Sequence, residues 1–152
     1  CYALGKPLLL VNTLQVIAQA LLMHLAEKGQ TPEQDSCLCP MIDARRMEVF
    51  TACLDRDLHF IQEAGAHILD ETFYHWLPPG KKIFFCGNGA TKLEALHKFP
   101  ADHFFSAPHR VTHLAILADT AFQQGQFADL AYAEPYYCKA FYSPPAKKSQ
   151  KT

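Results

Sequence analysis

The sequence predicts an α/β domain in which helices pack against a mixed sheet, and three observations carry that expectation. Strand-like segments come in a run and then alternate with helical ones. Two segments place their apolar residues on one helical face. Apolar residues are 49% of a 152-residue chain, enough for one domain with a real core and too little for two full lobes of an ordinary enzyme.

The elements follow in order. Cys1 to Gly5 reads as the last turn of a helix, closed by Gly5 with Pro7 beyond it; a helix end with no helix before it suggests a chain cut from something longer. The apolar run 8–11 is expected as a buried strand. Asn12 or Thr13 then caps a helix with Leu14, Ile17, Ala18, Leu21, Leu22 and Leu25 on one face, ended by Gly29. Residues 30–37 are polar and read as a loop. Strands 40–44 and 47–54 follow as a hairpin, and a third strand spans 58–62 after the turn at Asp55-Arg56-Asp57. Asp70 caps a helix running to Trp76, stopped by Pro78-Pro79-Gly80. Strand 82–86 feeds Gly87-Asn88-Gly89 and a helix over 90–97. A short strand at 103–105 precedes a last helix, with Leu114, Leu117, Ala118, Ala121 and Phe122 on one face and Gly125 at its end. Residues 143–152 bury nothing and are expected to be a disordered tail.

Composition narrows function. Fourteen Lys and Arg against 15 Asp and Glu leave a net charge of −1, without the basic footprint of a domain that tracks a nucleic-acid backbone alone. No apolar run approaches the ~20 residues that cross a bilayer, and Asn12, Thr13, Gln15 and Gln19 interrupt the early apolar stretch where a signal peptide would need continuity. A cytoplasmic protein without a membrane partner is expected. Six scattered cysteines read as free thiols of a reducing compartment.

Four motifs merit a chemical reading. In Ile42-Asp43-Ala44-Arg45-Arg46-Met47-Glu48, opposed charges at a hairpin tip fit a carboxylate with an arginine clamp. The plainer alternative has Asp43 bonding the turn backbone while Arg45, Arg46 and Glu48 are solvated, and it is favoured because catalytic carboxylates normally need burial. Gly87-Asn88-Gly89 between a strand and a helix fits an anion or nucleotide at the helix start, or equally a tight turn that needs positive φ. Cys37 and Cys39 could offer two thiolates to zinc, but no second pair has suitable spacing. His109 and His113 have a zinc-peptidase spacing with Arg110 where the base should stand. No metal or cofactor is expected.

Taken together, these segments resemble the bacterial TsaB (YeaZ) family, relatives of TsaD. Ala3-Leu4-Gly5-Lys6-Pro7-Leu8 with Val11-Asn12-Thr13-Leu14, then Met41 to Phe50, Cys86-Gly87-Asn88-Gly89-Ala90 and Glu134-Pro135-Tyr136-Tyr137 are similar, in order, to that family's segments. The Asp43-Ala44-Arg45-Arg46 stretch is the most specific. The resemblance implies one lobe, the second, of an actin-like (ribonuclease H-like) fold over residues 1–142, with 1–29 as the helix end, strand and helix leading into it. It implies a non-catalytic partner of TsaD, with TsaE completing the assembly, in making threonylcarbamoyladenosine next to the tRNA anticodon; tRNA would be reached only through the complex. The main partner surface in the family lies on the other lobe, and self-association as a homodimer is a further expected mode.

The family comparison also bears on Asp43, Ala44, Arg45, Arg46 and Glu48. Actin-like ATPases carry a glycine-rich phosphate turn at the hairpin opening this lobe, whereas Ala44-Arg45-Arg46-Met47 has no glycine. Gly87, Asn88 and Gly89 would then be a vestige of an adenosine-side turn. The alternatives are a nucleotide-binding lobe of an actin-like enzyme and a metal-dependent glycoprotease-type peptidase.

Overall fold

The computed structural model describes residues 1–139; the expected tail at 143–152 and the lobe boundary at 142 lie outside the described residues. Its centre is a five-stranded sheet of β1 (Cys37–Asp43), β2 (Glu48–Leu54), β3 (Phe60–Ile68), β4 (Ile83–Cys86) and β5 (Phe104–Phe105), in the order β3-β2-β1-β4-β5. β1, β2 and β3 form an antiparallel meander, and β4 and β5 add in parallel on the other side of β1. Helices α1 (Thr13–Glu27), α2 (Glu71–Trp76), α3 (Ala90–Glu94) and α4 (Val111–Gln123) flank it.

Each sheet face has its own core. Leu14, Ile17, Ala18, Leu21 and Leu25 of α1 pack on Leu38, Ala52, Leu54, Phe84 and Cys86, with Leu117 of α4 against the same cluster. On the opposite face Phe73 of α2 and Leu93 of α3 meet Cys39, Met41, Val49, Cys53 and Phe85. Asn12 caps α1 by accepting from the Leu14 N–H at 2.9 Å, and Asp70 caps α2 by accepting from Thr72 and Phe73.

Several sequence expectations need correction. The run 8–11 is not a strand: Leu8 makes one isolated bridge to Ala128 and Leu10 is 57% exposed. An apolar run becomes a strand only where it lies along a free sheet edge, and 8–11 pairs with none of the five strands. Cys1 to Gly5 forms one exposed 3₁₀ turn, although Gly5 does adopt the left-handed conformation at φ 56°. β1 begins at Cys37 rather than 40, and β3 runs to Ile68 rather than stopping at 62. Leu58 lies in the turn before β3 at φ 65°, where the Asp55 carboxylate accepts from the Asp57 and His59 N–H groups. α3 ends at Glu94, not 97, and His97 has φ 52°. On α4, Leu114 and Phe122 stay 40% and 49% exposed instead of joining the core.

Pro40 sits inside the central strand, where its missing N–H removes one ladder bond. Register places it opposite Ala52, whose carbonyl loses that donor. The buried Thr51 hydroxyl lies beside the gap: it donates to the Pro40 carbonyl at 2.8 Å, with the Ala52 carbonyl 3.4 Å away.

Candidate functional site

The hairpin tip and the glycine turn, far apart in sequence, meet at one end of the sheet. β1 and β4 are parallel neighbours in register from Cys37↔Ile83 to Pro40↔Cys86, so the residues that follow each strand emerge side by side. The Asn88 side chain accepts from the Asp43 N–H at 3.0 Å and joins the two motifs. Lys92, on the first turn of α3, completes the junction. Its ammonium donates to Asp43 Oδ1 at 2.6 Å and to the Glu48 carbonyl at 3.1 Å.

Asp43 is thereby committed to structure. The same Oδ1 accepts from the Arg45 N–H at 2.6 Å, which orders the turn. The Lys92 ammonium, and then the Arg45 N–H, hold the Asp43 carboxyl below its usual range. Arg45 and Arg46 both take positive φ, 69° and 46°, a region that favours glycine, and both are exposed at the tip. Ala44 donates its N–H to the Glu48 carbonyl, and Glu48 donates its own to the Arg45 carbonyl. The Glu48 carboxylate accepts from Lys139 at 2.7 and 2.9 Å rather than standing alone in solvent.

The glycines answer to the protein itself. At Gly87 (φ 89°) an added Cβ would lie 2.3 Å from the Met41 carbonyl oxygen, and at Gly89 it would lie 2.9 Å from the Ile42 carbonyl carbon. The Gly89 N–H donates to the Met41 carbonyl at 3.0 Å. Small size here lets the turn press against the end of β1, and one N–H that could face an anion is already used. α3 is only five residues long, which leaves little helix dipole behind that turn.

Beside the turn lies a cavity of about 660 Å³, walled by Ile17, Ile42, Phe104 and Phe105 with Asn88 and Thr91 among its polar groups. Its size and mainly apolar lining suit a small organic moiety. Sequence reading missed Lys92, Lys139 and this cavity. Lys92 lies three residues beyond Gly89, and its partner becomes evident only once β1 and β4 are known to be adjacent.

The other candidate ligands are absorbed into the fold. Cys37 and Cys39 are fully buried in the core facing α2 and α3. His113 is buried with Nδ1 accepting from the Arg110 N–H at 2.8 Å, so it caps the start of α4, while His109 is exposed at the cavity rim. Among the described residues, no group of three or more His, Cys, Asp or Glu is arranged to hold a metal ion. Among them, too, no helix is long and apolar enough to cross a membrane.

No family model and no curated protein matches the chain. Solved structures do match. One is a protein from Pseudomonas aeruginosa described as similar to the peptidase YeaZ, with a TM-score of 0.68 and 22% identity over 91% of this chain and 62% of that one. A second is YeaZ from the same organism, with a TM-score of 0.66 and 22% identity over 90% of this chain and 61% of its own. The likeness establishes the fold: the mixed sheet with helices on both faces is an actin-like, ribonuclease H-like lobe. The chain spans about three fifths of the length of these structures.

Proposed function

We propose that this chain is the second lobe of a TsaB (YeaZ)-type protein and acts as a non-catalytic partner of a TsaD-like transferase, which makes threonylcarbamoyladenosine beside the tRNA anticodon with a TsaE-like ATPase. One observation carries the reading: both turns that would cradle phosphates are closed by the protein. The glycine turn packs its Cα hydrogens onto Met41 and Ile42, and the hairpin tip presents Arg45 and Arg46 where bare backbone would be needed. Asp43, the carboxylate nearest that junction, is tied to Lys92 and the turn backbone, which leaves it poorly placed for acid–base work. With a net charge of −1, tRNA is held mainly by partners.

Calorimetric titration with Mg²⁺–ATP tests this directly. No saturable micromolar binding is expected; saturation accompanied by NMR shifts at both Arg45–Arg46 and Gly87–Gly89 would overturn the non-catalytic reading. In the TsaB family the principal partner surface belongs to the other lobe, so capture of a TsaD homologue by this chain should be weak, and tight capture in a pull-down would contradict that part.

The second reading is a nucleotide-binding enzyme lobe, favoured by the 660 Å³ cavity beside Gly87 and Asn88. The same titration separates the two. A peptidase role has less support, because His113 spends its Nδ1 on the α4 cap.

A further inference from the structure

We propose that Cys39 and Cys53 form a reversible disulfide across β1 and β2, a redox-sensitive staple at the base of the hairpin that carries Asp43, Arg45 and Arg46. The register pairs Leu38 with Leu54 and Met41 with Thr51 in antiparallel sense, which sets Cys39 directly opposite Cys53. Backbone direction adds the decisive detail. The Cys37 N–H donates to the Lys82 carbonyl and the Met41 carbonyl accepts from Gly89, so odd-numbered β1 residues turn their hydrogen bonds toward β4. Cys39 and Cys53 therefore form a non-hydrogen-bonded pair, whose Cα atoms stand about 4.5 Å apart with side chains close. That spacing falls within the roughly 4.4–6.8 Å range of disulfides.

Both thiols, with Cys37 beside them, are fully buried in the core facing α2 and α3, whereas Cys86 belongs to the opposite face. Cys39 Sγ lies 3.3 Å from the Thr51 hydroxyl, which itself donates to Pro40. The Cys37 and Cys39 thiols and burial push the Cys53 thiol up, so it stays protonated and slow to react while the fold is closed. Oxidation then proceeds through local opening of the strands. The ladder is interrupted at this spot: Pro40 contributes no N–H on one side of β2, and the β2–β3 register shifts on both sides of Cys53. A small-molecule thiol oxidant such as diamide balances the step. One thiolate adds to its N=N bond, the second attacks that sulfur, two S–H bonds are lost, one S–S bond forms, and the hydrogens leave on the reduced hydrazine.

The test uses the whole chain treated with diamide, then unfolded, alkylated, digested and mapped by mass spectrometry. The expected product joins the Cys39 and Cys53 peptides, two hydrogens lighter than their sum, with Cys86 alkylated and dithiothreitol reversing the link. Cys53→Ala should lose that product, and the wild-type map stands even if the variant fails to fold. Full alkylation of Cys39 and Cys53 after oxidation would overturn the proposal. So would a map in which Cys53 links only to Cys37, or in which all links run through Cys1 or Cys138.

Discussion

Gly87 and Gly80 share positive φ, 89° and 73°, yet their surroundings differ: Gly87 faces the Met41 carbonyl, and nothing lies within 4 Å of a Cβ at Gly80. Gly87→Ala should therefore destabilise by about 3 kcal/mol, combining backbone strain with a steric clash. Gly80→Ala carries only the strain, about 1 kcal/mol. Urea unfolding midpoints of the two variants check the contrast. The Gly-Asn-Gly turn and its positive φ were legible in the sequence, but what the glycines touch was not, because Met41 is distant in sequence and becomes a neighbour only through the β1–β4 pairing. Asp43 gives a second prediction. Its folded pKa is depressed by Lys92, so its stabilising contribution is present above the unfolded carboxyl value and is lost as pH falls through the folded one. Asp43→Asn should flatten the stability–pH curve between those two values and leave the slope above pH 6 unchanged, measured by urea titration at stepped pH.

Helix α2 is six residues long, too short to hold itself, and depends on its cap and on Phe73 in the core. Asp70→Ala removes acceptors for the Thr72 and Phe73 N–H groups and should cost about 1 kcal/mol; Asp70→Asn should retain most of it. Chemical denaturation of the pair checks this. α1 and α2 were readable because caps and apolar spacing are local signals. β3 was readable only in part. Glu63-Ala64-Gly65-Ala66 has poor strand propensity, and pairing with β2 imposes the extended form. The run 8–11 errs in the opposite direction, since strand composition says nothing about whether a ladder is free. α4 shows a third limit: its apolar spacing was clear, but only the stripe near Leu117 meets α1's side of the core, and Val111, Leu114 and Ile116 stay exposed.

At the scale of the molecule, one sheet joins two cores that share no side chains, so the strands couple them. Leu21→Ala, buried on the α1 face, should destabilise the fold by roughly 2–5 kcal/mol. Trp76 reports from the other face, stacked near Phe73 and His67. Its fluorescence midpoint in that variant should coincide with the far-UV circular dichroism midpoint, and separate midpoints would show that the faces melt independently. The pairing of Pro40 with Thr51 has its own consequence for how the chain finds this arrangement. Sliding the hairpin by one residue would turn one strand's side chains onto the wrong face of the sheet and break the bond from the Thr51 hydroxyl to the Pro40 carbonyl. A misaligned hairpin thus forfeits a buried hydrogen bond, and the chain carries a mark of correct register in its central strand.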